Sequence, residues 1–281
     1  MSTVALRPSP IAGTWYEGDP RRLAASVDRY LDQAELPELP GEVIAVIAPH
    51  AGHIYSGPVA GYAFAAVRGR TPDLVAVISP MHHHYPQPLL TTAHAAYSTP
   101  LGNIPVDKQA VTDLDANLRA ELGFGLSPVL GDPEHSLEIE LPFLQRALGK
   151  DFSLLPVMAR EQTEKVSQGL GKALAKTLQG RNALLVASTD LSHFYPQHIA
   201  EQLDAEMIKQ VEAFSPEGIF RVEREDRGQA CGLGALAAVL WAARDLGADT
   251  VKILRHATSG DVTGDYSSVV GYAAAVVVKT K

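Results

Sequence analysis

Side chains that bind metals or move protons follow several apolar runs of this 281-residue chain. Three consecutive histidines, His82–His84, come directly after "DLVAVISPM", and His50 comes directly after "EVIAVIAP". A third run, "NALLVAST", leads into Asp190 and His193. Imidazole nitrogens bind zinc, copper, iron and nickel, and histidine exchanges protons near neutral pH. The pattern therefore predicts a metal centre or a proton-transfer site assembled from several loops.

Three more candidate groups stand where helices are expected to begin. Glu134 and His135 lie in "GDPEHSLEIELP", which also has the pattern of a capped helix start. Cys231, the chain's one cysteine, precedes a long Ala/Leu-rich segment, where free N–H groups and the helix dipole favour a thiolate. A loop histidine or a buried cysteine is ordinary by itself. The prediction of a site rests on all of these groups coming together.

The elements that must position these groups are predicted from apolar runs that alternate with helical patterns. Runs rich in Val, Ile and Leu are typical of strands buried on both faces. In an α/β sheet the loops at the carboxyl ends of the strands converge, and ligands bind there. The fold class is therefore α/β, a single layered domain over residues 1–281 with a largely parallel or mixed central sheet flanked by helices. The predicted strands are 42–50, 73–81, 152–159, 182–189, 250–259 and 266–279, and the predicted helices are 57–68, 107–122, 135–148, 161–179, 200–213 and 231–248.

Charge and hydropathy exclude some classes of partner. The formal net charge is −8, so the chain lacks the basic surface that nucleic acids or anionic membranes require. No apolar run is long enough to span a bilayer, and the first residues lack the pattern of a signal peptide. We expect a cytoplasmic protein that has neither a nucleic-acid nor a membrane partner.

The chain resembles the Memo-like proteins, whose prokaryotic members are called AmmeMemoRadiSam system protein B. The fold of that family is similar to that of the class III extradiol dioxygenases, which are non-haem iron enzymes that open catechol rings. The resemblance therefore implies a dioxygenase-like α/β fold over nearly the whole chain. The segments that carry it, in order, are "AGTWYEGD", "IAPHAGHIYSG", "SPMHHHYP", "YSTPLGNIPVD", "DPEHSLEIELPF", "STDLSHFYP", "ACGLGAL" and "DYSSVVGYAAAVV".

The resemblance also implies a metal site made of His50, His82 and Cys231. Two neutral imidazoles and one anionic ligand leave coordination positions open for a substrate. The related dioxygenases have a carboxylate as the third ligand, so the cysteine is a departure that favours softer metals. Iron or copper is expected, and zinc is compatible with the same donors. A thiolate beside a redox metal can itself be oxidised, so a redox centre is as reasonable as an oxygenase.

The remaining cleft residues are given roles in acid–base chemistry. The resemblance places His193 in the same cleft, where it could act as a general acid or base. Asp190 is expected to fix the tautomer of an imidazole, and His135 is a further catalytic candidate. His83–His84 are interpreted as rim residues or substrate contacts. His53 stands where the family usually has an aromatic residue, and its role is left open.

The leading hypothesis is a mononuclear metal-binding redox protein or oxidoreductase that acts on an unknown small molecule or peptide. One alternative is a non-catalytic module that binds a peptide or partner in the retained cleft. Another is a component of a modification system with a radical-SAM protein and an AMMECR-type protein, which the family name implies. A zinc hydrolase and a nucleophilic Cys231 also stay open. A Ser188–Asp190–His193 triad is weaker, because one loop crowds all three residues and no Gly-x-Ser-x-Gly elbow is present.

Overall fold

The chain forms a mixed sheet covered by helices, as the α/β prediction required. The computed structural model describes residues 6–280, so residues 1–5 and 281 of the predicted domain lie outside the described residues. The strands of the described part are β1 (Leu6–Arg7), β2 (Gly41–Ala48), β3 (Leu74–Pro80), β4 (Leu89–Thr92), β5 (Ala96–Thr99), β6 (Gly102–Pro105), β7 (Ser127–Val129), β8 (Ser153–Ala159), β9 (Ala183–Ser188), β10 (His193–Tyr195), β11 (Thr250–Thr258) and β12 (Val269–Thr280). Its α-helices are α1 (Pro20–Asp32), α2 (His53–Ala65), α3 (Lys108–Leu122), α4 (Leu141–Ala147), α5 (Glu164–Leu178), α6 (Gln197–Glu212), α7 (Pro216–Arg224), α8 (Leu233–Asp245) and α9 (Gly260–Thr263).

The central sheet has a parallel middle and antiparallel flanks. Within residues 6–280, its strand order is β10-β12-β2-β9-β3-β8-β4-β7, and β11 pairs with β12. Strands β2, β9, β3 and β8 run parallel to one another, whereas β12 is antiparallel to β2 and β4 is antiparallel to β8. The predicted mixed sheet is therefore confirmed. A separate small sheet has the order β1-β5-β6.

Burial on both faces explains why the middle strands are continuous apolar runs in the sequence. Every residue of β3 is buried, and hydrophobic clusters cover both sides of the sheet. On one side α8 is buried over residues 233–243 and packs against α5. A Cβ atom at Gly171 of α5 would lie 2.7 Å from the Cβ of Trp241, so glycine permits this close approach. No helix in the described part of the chain is long and apolar enough to cross a membrane.

Two predicted helices begin four or more residues away from their predicted starts, 57 against His53 and 135 against Leu141. The helix predicted at 135–148 is wrong over its first half, because a short 3-10 turn, Glu138–Glu140, precedes α4. Pro142 occupies the first turn of α4, where its missing N–H group costs nothing, so the α-helix starts beside it. Helix α2 begins at His53, before the predicted residue 57, and contains Pro58 within its first turns. Both changes lie next to candidate site residues.

Candidate metal centre

The candidate residues follow neighbouring parallel strands, and this arrangement brings them together. His50 follows β2, His82 follows β3, and Asp190 follows β9, which lies between those two strands. His135 enters from the loop before the 3-10 turn, and Cys231 enters from the segment before α8. The expected convergence of loops at one edge of the sheet is therefore present.

His50, His82 and His135 form a cluster of imidazoles. One ring nitrogen of each lies within 4.8 Å of the others, close enough to hold one metal ion. The His82 and His135 rings stack with centroids 4.8 Å apart, and the His50 ring is nearly perpendicular to both. Burial and the neighbouring imidazoles lower the pKa of His50 well below its usual value. Burial also lowers the pKa of His135, to about 4, so both rings are neutral, which is the form that binds metals.

Cys231, the predicted third ligand, contacts His50 but is not among the three residues whose ligand atoms all lie within 4.8 Å of one another. Its Sγ is 3.1 Å from His50 Nε2 and accepts a hydrogen bond from the backbone N–H of Asp190 at 3.3 Å. Burial, together with the charge of Asp190, raises the pKa of the Cys231 thiol. The expected effect of the helix start is outweighed by the desolvation of the thiol, although the residue as a whole is only partly buried, and α8 begins only at Leu233. The thiol is the favoured form here, whereas a thiolate was expected.

Glu134 orients His82. One carboxylate oxygen accepts from His82 Nδ1 at 2.9 Å, and the other accepts from the His82 backbone N–H at 2.6 Å. The backbone N–H groups of His135 and Ser136 also donate to Glu134 Oε1, each at 3.0 Å. Burial alone would raise the pKa of Glu134, but the hydrogen bond from His82 and the other donors lower it overall. An ionised Glu134 holds the proton of His82 on Nδ1 and leaves Nε2 free to bind.

Asp190 and His193 lie near the cluster, and Asp190 contacts the backbone of His50 where a contact with an imidazole nitrogen was expected. Asp190 accepts the backbone N–H of His50 at 2.7 Å, whereas its carboxylate is 4.0 Å from His50 Nε2, beyond hydrogen-bond distance. Burial raises the pKa of Asp190 to about 7. His193 is partly buried, and its Nδ1 is 2.8 Å from the carbonyl oxygen of Leu191. Asp190 therefore positions the His50 backbone, and Ser188, at 2.9 Å, is the residue that contacts His50 Nδ1.

The other histidines of the motifs divide into exposed and buried ones. His83 and His84 are exposed beside His82, as rim residues would be. His53 is buried, its Nε2 is 3.0 Å from the carbonyl oxygen of Ile139, and its ring packs against Phe143. His53, the first residue of α2, therefore packs in the core and lies outside the imidazole cluster.

A cavity of about 470 Å³ lies beside the cluster. The Trp15 ring, on its wall, packs against the His135 ring with centroids 4.1 Å apart. Phe194 is 75% exposed at the cavity and has a φ of 66°, a left-handed conformation that is costly for a bulky residue. No spacing signal in the sequence distinguishes Trp15 and Tyr55 as wall residues. The lining residues are Thr14, Trp15, Ala51, Gly52, Ile54, Tyr55, Phe194, Ser259, Thr263, Asp265, Ser268, Val270 and Tyr272.

The fold and the cluster define an α/β protein with a histidine-rich site at the carboxyl ends of its parallel strands. A family model described as "Memo-like protein" matches residues 7–276. The chain belongs to this Memo-like family, which confirms the resemblance found in its motifs.

Relatives in several microorganisms match along almost their whole length. A MEMO1 family protein of Nitrosopumilus maritimus is 33% identical over 273 residues, covering 96% of this chain and 98% of the relative. Those of Methanothermobacter thermautotrophicus and Thermotoga maritima are each 36% identical, covering 95% and 96% of this chain and 99% of each relative. The crystal structure of an uncharacterized protein from Escherichia coli K12 has a TM-score of 0.47 and 13% identity, covering 84% of this chain and 100% of that one.

Proposed function

We propose that this Memo-like protein is a mononuclear metal-binding redox protein or oxidoreductase whose metal is held by His50, His82 and Cys231. The observation that carries the proposal is the cluster itself. One ring nitrogen of each of His50, His82 and His135 lies within 4.8 Å of the others. The Cys231 sulfur is outside that group of three but lies 3.1 Å from His50 Nε2. Iron or copper is the metal we propose, and zinc also suits these donors. A bound iron or copper ion would supply one-electron chemistry at the edge of the cavity.

Hydrogen bonds to His82 and to the Cys231 sulfur favour metal binding by these two donors. Glu134 holds the proton of His82 on Nδ1, so the opposite nitrogen is available. The backbone N–H of Asp190 points at the Cys231 sulfur and would stabilise a negative charge there. His82 has 34% of its side chain exposed, which leaves the cluster accessible from solvent. These contacts support a preformed site rather than a chance group of histidines.

The neighbouring residues supply binding and proton transfer. The cavity beside the cluster is large enough for a small molecule or a peptide side chain, which its aromatic wall would cover and shield from water. His193 is only partly buried and is proposed as a general acid or base for the bound molecule. His135 lies between Trp15 of the wall and His82 of the cluster, so it is proposed to contact that molecule directly.

Metal analysis of protein purified without oxygen or added metal tests the proposal. We expect iron or copper in the parent protein and at least tenfold weaker binding in His50→Ala and Cys231→Ser. His84→Ala is the matched control, because His84 is an exposed neighbour in the same triplet. His135→Ala tests the competing third ligand, since its ring nitrogen belongs to the same cluster. Parent-like binding by His50→Ala and Cys231→Ser would show that the ligands are misassigned.

A second candidate is a non-catalytic module that binds a peptide or a partner protein. The exposed apolar rim of the cavity favours it, since Ile54 is 64% exposed and Phe194 is 75% exposed. The partners proposed for either function are a radical-SAM protein and an AMMECR-type protein. Co-purification with these two proteins, repeated with Cys231→Ser, separates the candidates. A binding module keeps its partners without the metal ligand, whereas a redox component loses turnover in a shared reaction.

A further inference from the structure

Ser188, at the end of β9, has polar contacts that fix where the protons around it lie. Its Oγ is 2.6 Å from the carbonyl oxygen of Ser136, 2.7 Å from Glu140 Oε1 and 2.9 Å from His50 Nδ1. Ser188 is fully buried. The hydroxyl has one proton to give and two lone pairs with which to accept.

A count of donors leaves one consistent assignment. The carbonyl oxygen of Ser136 carries no proton, so the 2.6 Å contact requires the Ser188 hydroxyl to donate to it. Ser188 then has only lone pairs left for its other two neighbours. Glu140 Oε1 and His50 Nδ1 must therefore each donate a proton to Ser188, which requires a protonated Glu140 and a His50 protonated on Nδ1.

The surroundings of Glu140 support the same assignment independently. Glu140 is 1% exposed, and its Oε2 has no hydrogen-bond partner among the described residues. Burial and the charge of Asp190 raise the pKa of Glu140 well above its usual value. An ionised carboxylate in this place would be buried with a single hydroxyl as its partner, which is far more costly than a neutral acid.

We propose that Glu140 is a neutral carboxylic acid that donates to Ser188, and that the two residues position His50 with its Nδ1 protonated and its Nε2 lone pair directed at Cys231. Glu140 and Ser188 are positioning residues, because neither belongs to the imidazole cluster. The importance of this tautomer for metal binding rests on the proposed function, whereas the tautomer itself does not. Glu140 lies in the 3-10 turn and Ser188 in β9, so the turn that replaces the first half of the predicted helix has a role in orienting His50.

The tautomer is measured on metal-free protein with ¹⁵N-labelled histidine, by long-range ¹H–¹⁵N correlation spectra. We expect a protonated Nδ1 and an unprotonated Nε2 for His50 in the parent. Glu140→Gln keeps this pattern, because the amide is neutral and can donate. Ser188→Ala removes the acceptor for Nδ1–H and lets the Nε2–H form appear. A parent His50 that carries its proton on Nε2 overturns the proposal.

The protonation state of the Glu140 carboxyl group is measured by infrared spectroscopy, at a pH well above the pKa of Asp190. We expect the carbonyl stretching band of a protonated carboxylic acid in the parent and in Asp190→Asn, and its loss in Glu140→Gln. A parent spectrum identical to that of Glu140→Gln overturns the proposal. The two measurements on the parent protein, of the His50 tautomer and of the Glu140 carbonyl band, do not depend on whether Ser188→Ala folds.

A separate experiment measures metal binding, so that it tests the proposed function independently of the spectra. With Zn(II) as the probe in a chelator competition, we expect Ser188→Ala to bind about 10- to 100-fold more weakly and Glu140→Gln to match the parent. Ser167→Ala, a buried serine of α5, is the control. If the spectra are as expected but no form of the protein binds metal, the proposed function fails while the assignment of Glu140 and His50 stands.

Discussion

Replacement of Arg7 tests whether a buried ion network supports the site. The Arg7 guanidinium is 1% exposed and donates to Asp132 at 2.7 and 3.0 Å, to Glu138 at 2.5 Å and to the carbonyl oxygen of Glu134 at 2.7 Å. Arg7 belongs to the small sheet, and its partners lie in the loop that carries Glu134 and His135 and in the 3-10 turn that follows it. Arg7→Met keeps much of the apolar length of the side chain and removes every one of these hydrogen bonds.

The expected loss follows from leaving buried carboxylates without their counter-charge. The Arg7 partners Asp132 and Glu138 have side chains that are 0% exposed, and removal of one member of such a buried pair costs about 3–5 kcal/mol. For a chain of 281 residues that loss lowers the midpoint of thermal unfolding by about 5–9 °C. Arg68→Met is the matched control, because the Arg68–Asp32 pair is largely exposed and contributes at most about 1 kcal/mol.

The stability loss of Arg7→Met should change with pH, and this change distinguishes unpaired buried charges from a simple packing defect. Burial already raises the pKa of Glu138 although Arg7 opposes the shift, and removal of Arg7 raises that pKa further. A carboxyl whose pKa is raised in the folded state stabilises below its unfolded pKa of about 4, and this contribution is lost as the pH rises through the folded value. The deficit of Arg7→Met relative to the parent should therefore be smallest in acid and grow toward neutral pH.

Urea unfolding at several pH values, followed by circular dichroism, measures this deficit. Adding Asp132→Asn and Glu138→Gln to Arg7→Met should recover part of the loss, because the charges left unpaired are then removed. A deficit below about 1 kcal/mol, or one that does not change with pH, would refute a supporting role for the network.

Three further substitutions probe the site and its scaffold. Glu134→Gln should weaken metal binding by about 10- to 100-fold in a chelator competition, because His82 loses its ionised partner. Phe194→Gly should raise the free energy of unfolding by about 1 kcal/mol, because glycine adopts a φ of 66° without strain; an unchanged value would show that the conformation costs little. Gly61→Ala should lower that free energy by about 1–3 kcal/mol, because its Cβ would lie 2.5 Å from the carbonyl oxygen of Tyr30.

The middle of the sheet could be predicted because its strands are buried on both faces. Strands β2, β3, β8 and β9 each lie within the predicted runs to one or two residues. The short strands β4–β7 were missed, because three or four residues show neither a continuous apolar run nor a clear alternation. Their pairing depends on contacts between segments far apart in the chain, such as Leu6 with Ala96.

Part of the site could be predicted for the same reason. His50, His82 and Asp190 follow parallel strands that lie side by side, so the strand-end rule alone brings them together. The position of His135 depends on a loop that Arg7 holds from more than a hundred residues away, which no local pattern encodes. Ser188 was considered only as a member of a weak triad, because a serine at a strand end gives no sign of the groups it will contact.

His135 and Cys231 have different neighbours, and this difference separates the roles proposed for them beside the proposed ligands His50 and His82. The His135 ring lies between the Trp15 ring of the cavity wall and the His82 ring. The ring centroids are 4.1 Å and 4.8 Å apart, respectively. The Cys231 sulfur lies against His50 Nε2 and the backbone N–H of Asp190. With Cys231 as the third ligand, His135 remains free at the boundary between the cluster and the cavity, where a bound molecule can be recognised. Loss of Cys231 should then weaken metal binding by about tenfold or more, whereas loss of His135 should leave the metal and alter what the cavity binds.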